Sequence, residues 1–170
     1  MVSIRPAQRS DAQALAELAE YTFREAFGTM NTAADMAMHC LQSYGETIQA
    51  AEIAANDRLT LLAEVNHELA GFTQLRWGAA PTCVSAEAPG EILRFYLRSE
   101  FHGAGVATTL MDTALAALRE RGAKTAWLGV WEQNPRAIAF YRKRGFAEVG
   151  AQTFVLGTDR QRDKVFARSL

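Results

Sequence analysis

The feature that most constrains the fold of this chain is a pair of glycines at the start of a long helical pattern. Gly103 and Gly105 lie in the stretch EFHGAGVATTLMDTALAALRERG, residues 100–122, directly after a strand-like segment that ends near Arg98. A turn of this kind leaves several backbone N–H groups unpaired at the N-terminus of a helix, and glycines have no side chains to block access to them. The stretch therefore predicts a cradle for a phosphate group.

Two other interpretations of this motif have to be weighed. A sharp turn with no ligand would use the same glycines, and this simpler interpretation stays open. A dinucleotide-binding Rossmann turn would use Glu132, at the end of the next strand, to bind a ribose. However, Thr108 replaces the third glycine of that motif, and too few strand and helix units follow it to complete a Rossmann fold. The sequence therefore disfavours dinucleotide binding.

Apolar periodicity and turn residues predict the order of the remaining elements. Asn66 and His67 are expected to join two strands in a hairpin. Strands are predicted within residues 2–7, 59–65, 68–78, 91–98, 125–131, 146–157 and 164–170, and helices within residues 11–27, 32–44, 46–56, 105–121 and 135–144. We expect one α/β domain over residues 1–170, with a mixed, twisted central sheet of about six or seven strands flanked by helices.

The composition is that of a globular protein. The chain has 170 residues, 49% of them hydrophobic and 22% charged, which is enough for one domain with a sizeable core. No segment approaches about 18 consecutive apolar residues and the first residues do not form a signal peptide, so we expect a cytoplasmic protein. Cys40 and Cys83 stand 43 positions apart without further ligands at zinc spacing, so we expect neither a disulfide nor a metal site.

Charge is unevenly divided along the chain. Residues 1–100 contain 13 acidic and 7 basic residues, a net charge of −6, whereas residues 101–170 contain 6 acidic and 11 basic residues, a net charge of +5. One interpretation is that these residues form solvated helix faces without functional meaning. The other is that the basic part meets an anion.

A second motif follows in LGVWEQNPRAIAFYRKRGFAEVG, residues 128–150. Asn134 and Pro135 form a strong helix start, Tyr141 lies inside the helix, and Gly145 ends it. Taken with the first motif, residues 91–150 closely resemble the GNAT superfamily of acetyl-CoA dependent N-acetyltransferases. The family signature is Gln or Arg, two residues, Gly, one residue, then Gly or Ala. It is matched by HGAGVA, with His102 in the place of Gln or Arg.

The resemblance implies how coenzyme A is bound. Backbone N–H groups of the glycine turn would hold the pyrophosphate, and the strand before it would offer N–H groups to the pantetheine arm and the thioester. The substitution at His102 removes a side chain that adjoins the phosphates in many relatives, but it leaves the backbone donors in place. The residues expected to bind acetyl-CoA are Phe95, Tyr96, Leu97, His102, Gly103, Ala104, Gly105, Val106, Ala107, Asn134, Arg136 and Tyr141.

The resemblance also implies direct transfer of an acetyl group to an amine, with no acyl-enzyme, because neither cysteine lies in the motifs. Tyr141, whose ordinary pKa is about 10, would protonate the leaving thiolate, and Glu91 would take the amine proton directly or through water. Both residues have simpler interpretations. Tyr141 would otherwise be a core tyrosine packed on Ile138, and Glu91 a surface residue at a strand edge.

The expected acceptor and partners follow from the division of charge along the chain and from the family resemblance. The tail FVLGTDRQRDKVFARSL, residues 154–170, looks like those of bacterial members described as polyamine acetyltransferases. We therefore expect a small-molecule or peptide amine as acceptor, with spermidine or spermine first and protein N-terminal or lysine amines second. A module that senses acyl-CoA without turnover is the alternative of another class. Neither nucleic acid nor a membrane is expected as a partner, and a homodimer is left open.

Overall fold

The computed structural model describes all residues, 1–170, and contains one sheet of seven strands. The strands are β1 (Val2–Pro6), β2 (Arg58–Val65), β3 (Glu68–Trp77), β4 (Pro89–Leu97), β5 (Thr125–Trp131), β6 (Ala147–Leu156) and β7 (Asp159–Ser169). Their spatial order is β1-β2-β3-β4-β5-β7-β6. Only β4 and β5 pair in parallel, and every other pair is antiparallel. The predicted mixed α/β fold is confirmed.

Five helices cover the two faces of this sheet. They are α1 (Ala12–Phe27), α2 (Ala33–Ser43), α3 (Glu46–Ala54), α4 (Val106–Glu120) and α5 (Pro135–Lys143). The apolar sides of α4 and α5 belong to a core cluster of 19 buried residues on one face of the sheet. Those of α1 and α2 belong to a second cluster of 10 buried residues on the other face. No helix is both long enough and apolar enough to cross a membrane.

Local sequence signals explain several of the boundaries. The hydroxyl of Thr32 accepts a hydrogen bond from the Asp35 N–H, which satisfies a free donor at the start of α2. The side chain of Asn134 caps α5 in the same way, on the N–H of Ala137. Asn66 and His67 have φ values of 51° and 71°, as the tight turn of the predicted β2–β3 hairpin requires. These predicted elements are confirmed.

The last strand is longer than predicted. The prediction started it at Lys164, but β7 begins at Asp159 and includes the polar run DRQRD. Asp163 in this run pairs with Trp131 of β5 on one side and with Gln152 of β6 on the other. Pairing with β6 along the whole run, and with β5 at Asp163, satisfies the backbone of a segment whose side chains alone would indicate a loop.

The sheet divides between β4 and β5. Only three residue pairs join the two strands, and the last is Glu91 with Trp127. Beyond it, β4 continues to Leu97 beside β3, and β5 continues to Trp131 beside β7. The register between β3 and β4 also skips Leu93, which marks a β-bulge just past the division. A fork therefore opens in the middle of the sheet, and the backbone of β4 on its inner side is left without a strand partner.

Candidate active site

A cavity of about 750 Å³ occupies the fork between β4 and β5. It is lined by residues of β4 and β5, by the turn that leads into α4, by the first part of α5, by α1, and by the β6–β7 hairpin. Residues of both sequence motifs therefore line the same cavity as residues of α1, which lies on the other face of the sheet. It is large enough for the arm of a cofactor and a second small molecule.

The glycine turn supplies free hydrogen-bond donors to this cavity. Gly103 and Gly105 have φ values of 82° and 79°, which favour glycine, and both line the cavity. No side chain caps α4, and the backbone N–H groups of residues 103–108 donate to no acceptor in the protein. Six consecutive free donors at the positive end of a helix are suited to an anion.

Most of the residues predicted to bind acetyl-CoA line the cavity together. They are Phe95, Tyr96, Leu97, His102, Gly103, Gly105, Ala107, Asn134, Arg136 and Tyr141. Ala104 and Val106 do not line it. The side chain of Val106 is fully buried in the core under α4, because the first turn of the helix directs it inward, and Ala104 is exposed on the turn. Only the backbone of these two residues remains available, whereas Thr108, which was not predicted, lines the cavity.

Side-chain contacts join the segment just before the glycine turn to α1. The carboxylate of Glu25 on α1 accepts hydrogen bonds from the N–H and the hydroxyl of Ser99. These bonds hold the pKa of Glu25 below its usual value. His102 lies 3.3 Å from the carbonyl oxygen of Leu97 through its Nε2 and is exposed. The residue that departs from the family signature thus contacts the end of β4.

Tyr141 is both a packed residue and a cavity residue. Its ring lies 6.4 Å from that of Phe95 and 6.0 Å from that of Phe146, measured between centroids, and it shares the core cluster with Ile138. Its side chain is 92% buried, but its hydroxyl has no hydrogen-bond partner in the protein. Burial, with Tyr96 as a smaller cause, raises the pKa of Tyr141 well above its ordinary value. The hydroxyl is therefore protonated at neutral pH.

Glu91 is buried at the base of the fork, so the interpretation as a surface residue is wrong. Its Oε2 accepts a hydrogen bond from Nε of Arg76 at 2.8 Å and forms an ion pair with Nη2 of the same side chain at 2.7 Å. Burial raises the pKa of Glu91, whereas the neighbouring guanidinium of Arg76 lowers it. The net effect is a raised pKa for a carboxylate that lines the cavity and is held in one orientation.

The structure also brings an unpredicted carboxylate to the cavity. Asp163 is 92% buried, has no hydrogen-bond or ion-pair partner, and lines the cavity with Gln152 and Gln161. Burial raises the pKa of Asp163 to about 6. The signal that could have revealed it is the alternation of Gln161, Asp163 and Val165, which puts all three on one face of a strand.

The uneven division of charge along the chain does not identify which acidic residues line the cavity. Of the 13 acidic residues in residues 1–100, only Glu25 and Glu91 line the cavity, and both are already hydrogen-bonded. Other acidic residues of this part bind arginines elsewhere, as Glu52 does with Arg94. The free carboxylate in the cavity belongs to the basic part of the chain. No group of three or more His, Cys, Asp or Glu residues could hold a metal ion.

Comparisons with known proteins agree with this geometry. A sequence profile of the Acetyltransferase (GNAT) family matches residues 14–146. An uncharacterized N-acetyltransferase of Lactobacillus delbrueckii subsp. lactis is 32% identical over 169 residues, which cover 99% of this chain and 98% of that protein. Streptothricin acetyltransferase of Streptomyces lavendulae is 33% identical over 100 residues, 56% of this chain and 48% of that protein.

A solved structure extends the likeness to the whole fold. PaiA N-acetyltransferase from Thermoplasma acidophilum, determined in complex with coenzyme A, has a TM-score of 0.82 at 22% identity. The match covers 100% of this chain and 99% of that chain. The chain therefore belongs to the GNAT acetyltransferase family, and it is an N-acetyltransferase of the GNAT type.

Proposed function

We propose that this enzyme transfers an acetyl group from acetyl-CoA directly to the primary amine of a small cationic molecule. One observation carries the proposal: the glycine turn, whose residues 103–108 have free N–H groups, and Tyr141, whose hydroxyl has no partner in the protein, line one cavity. The first feature suits a pyrophosphate and the second suits a leaving thiolate. The Thermoplasma protein, which has the same fold, was determined in complex with coenzyme A, and this supports coenzyme A as the ligand.

The residues that would hold acetyl-CoA divide into two sets. The N–H groups of residues 103–108 would bind the pyrophosphate, and Arg136, which is exposed at the cavity on α5, is the nearby cation for a further phosphate. The inner edge of β4 from Phe95 to Leu97 would receive the pantetheine arm, since no strand occupies that edge. Acetyl-CoA supplies the activated thioester, and all other groups come from the chain.

Two side chains would move the protons. Glu91 would accept the proton of the attacking amine, directly or through water, because its Oε1 is not used by Arg76. Free N–H groups of β4 next to the bulge at Leu93 would stabilise the oxyanion that forms on the acetyl carbonyl. Tyr141 would then give its proton to the sulfur as the C–S bond breaks, and solvent would reprotonate it.

The acceptor is proposed to be a polyamine such as spermidine or spermine, with amines of a protein as second candidate. The cavity lies between two strands of one sheet, and such a space favours a slender molecule. A relative named for acetylating streptothricin supports a small-molecule acceptor. We further propose that the reaction takes place in the cytoplasm and that residues 1–170 act as one domain.

Turnover in a thiol-release assay tests this function. The purified protein is incubated with acetyl-CoA and, in separate reactions, spermidine, n-butylamine and a lysine-containing peptide, and products are identified by mass spectrometry. We expect coenzyme A release to depend on an amine and to yield the monoacetylated amine. Tight binding of acetyl-CoA without turnover on any amine would contradict the proposal and favour a sensing module.

A further inference from the structure

Asp163 differs from the other carboxylates of the cavity in having no partner. Glu25 is bound to Ser99 and Glu91 to Arg76, whereas Asp163 makes neither a hydrogen bond nor an ion pair. A buried charge without a counter-ion is unfavourable, so a site of this kind favours a cationic ligand. The sequence motifs and the transfer chemistry leave this residue without a role.

The absence of a side chain at Gly129 leaves room for the carboxylate of Asp163. A Cβ atom placed on Gly129 of β5 would lie 3.1 Å from Oδ2 of Asp163 and 2.5 Å from Nε2 of Gln152. Gly129 has no positive φ, so its backbone does not require glycine. The missing side chain instead makes room for these two polar groups over the strand. A larger residue here would displace the carboxylate.

Aromatic rings and neutral amides complete this end of the cavity. The ring centroid of Phe27 lies 5.9 Å from that of Trp131 and 6.2 Å from that of Tyr96. All three rings line the cavity, and aromatic faces attract cations. Gln161 donates to Asn31 at 2.6 Å, which leaves its amide oxygen free to accept from a ligand.

No basic side chain competes for Asp163. The ionisable residues that line the cavity are Glu25, Glu91, Tyr96, His102, Arg136, Tyr141 and Asp163. The basic ones, His102 and Arg136, adjoin the glycine turn and the start of α5, on the side proposed for the phosphates. Tyr96 interacts with Asp163 electrostatically: burial raises the pKa of Tyr96 to about 12, the charge of Arg94 lowers it, and the charge of Asp163 raises it to a smaller extent.

The two carboxylates, Glu91 and Asp163, are separated along β5. Glu91 is level with Trp127 of β5, and Asp163 lies over Gly129 and pairs with Trp131. Two to four residues of a strand span roughly 7–13 Å. This separation is comparable with the distance between the nitrogen atoms of an extended diamine or polyamine, and it allows one molecule to reach both carboxylates.

We propose that Asp163 binds a second, positively charged nitrogen of the acceptor, so that the enzyme selects diamines and polyamines over monoamines. The inference rests on the proposed function and narrows its substrate class. The reacting nitrogen lies at the base of the fork near Glu91, while the non-reacting ammonium is held by Asp163, the free amide oxygen of Gln161 and the rings of Tyr96 and Trp131. Asp163 is thus a specificity-determining residue.

A matched pair of acceptors tests this role. The values of kcat and KM are measured for 1,4-diaminobutane and n-butylamine, which differ only in the second nitrogen, with wild type, Asp163→Asn and the control Asp57→Asn. Asp57 is an exposed residue that contacts Arg58 at the start of β2. We expect the wild type to prefer the diamine at least tenfold in kcat/KM. Asp163→Asn should lose this preference through KM, and the control should keep it.

The outcomes separate this proposal from the proposed function. A preference that persists in Asp163→Asn, or an equal loss for both amines, overturns the second-nitrogen role. Absence of turnover by the wild type with every amine overturns the proposed function instead. Thermal unfolding and the affinity for coenzyme A show whether the variant is folded. Asp163→Ser, which also lacks the carboxylate, provides a second variant with the same expected result.

Discussion

Glu91 is the last residue of β4 that pairs with β5, opposite Trp127, and the two strands separate from this pair onward. A carboxylate buried at the base of a fork is close to whatever enters between the strands. Arg76 fixes its orientation, and the bulge at Leu93 follows directly. The proposed chemistry depends on this relationship, because the same opening would receive the cofactor arm from one face and the acceptor from the other.

The hydroxyl of Tyr141 is expected to protonate the leaving thiolate. Tyr141→Phe keeps the ring packing on Phe95 and Phe146 but removes the proton, so we expect kcat to fall about 100-fold. The dissociation constant for acetyl-CoA should hardly change. Steady-state kinetics and calorimetry measure the two effects. Wild-type turnover in the variant would show that the tyrosine is only a core residue.

The free N–H groups of the glycine turn are expected to bind the pyrophosphate. Gly105→Val places a branched side chain at a φ of 79° and in the path of the ligand, so acetyl-CoA should bind at least tenfold more weakly. Gly122→Val is the control, because Gly122 has a φ of 86° at the other end of α4. Both variants should lose about 1–2 kcal/mol of stability. An equal affinity of the two variants for acetyl-CoA would contradict the cradle.

Arg76 is expected to set the pH at which Glu91 acts. The guanidinium favours the ionised form of Glu91, so Arg76→Gln should raise the pKa of this carboxylate further. If Glu91 accepts the amine proton, the acidic limb of the kcat/KM profile against pH moves to higher pH. Arg162→Gln, whose side chain pairs with Glu132, serves as control. An acidic limb at the same pH in Arg76→Gln and wild type would exclude Glu91 as the base.

The unpaired carboxylate of Asp163 is expected to destabilise the empty enzyme. Its pKa of about 6 in the folded state exceeds the unfolded value of about 3.9, so the free energy of unfolding falls as pH rises between these values. Asp163→Asn should therefore stabilise the protein by about 1 kcal/mol at pH 8, after allowance for screening by water in the cavity. Chemical denaturation at pH 8 and pH 4 tests this. A lower stability of the variant at pH 8 would contradict it.

Much of the fold was predictable because its signals are local. Apolar spacing, the Thr32 and Asn134 caps and the Asn66–His67 turn each specify a boundary without help from the rest of the chain. The glycine turn and Tyr141 were predictable from two motifs at family spacing. These features needed no knowledge of the sheet order.

The remainder depends on tertiary contacts. The polar start of β7 forms a strand because β6 pairs with all of it and β5 pairs with its last residue, Asp163, which this pairing places at the cavity. The inward direction of Val106 follows from how α4 packs. The net charge of residues 1–100 was a poor guide to the charge of the cavity for a related reason. Acidic residues such as Glu52 form ion pairs with arginines that the fold brings near. Local periodicity carries none of this information.

Direct transfer within the fork is the central claim, and initial-rate kinetics test it most directly. Rates are measured while acetyl-CoA and spermidine are varied together, and the mass of the intact protein is recorded after incubation with acetyl-CoA alone. The account predicts intersecting double-reciprocal lines, as a ternary complex requires, and an unmodified protein. Parallel lines together with a protein heavier by one acetyl group would contradict it, because they would reveal a covalent acetyl-enzyme that neither Tyr141 nor Glu91 is proposed to form.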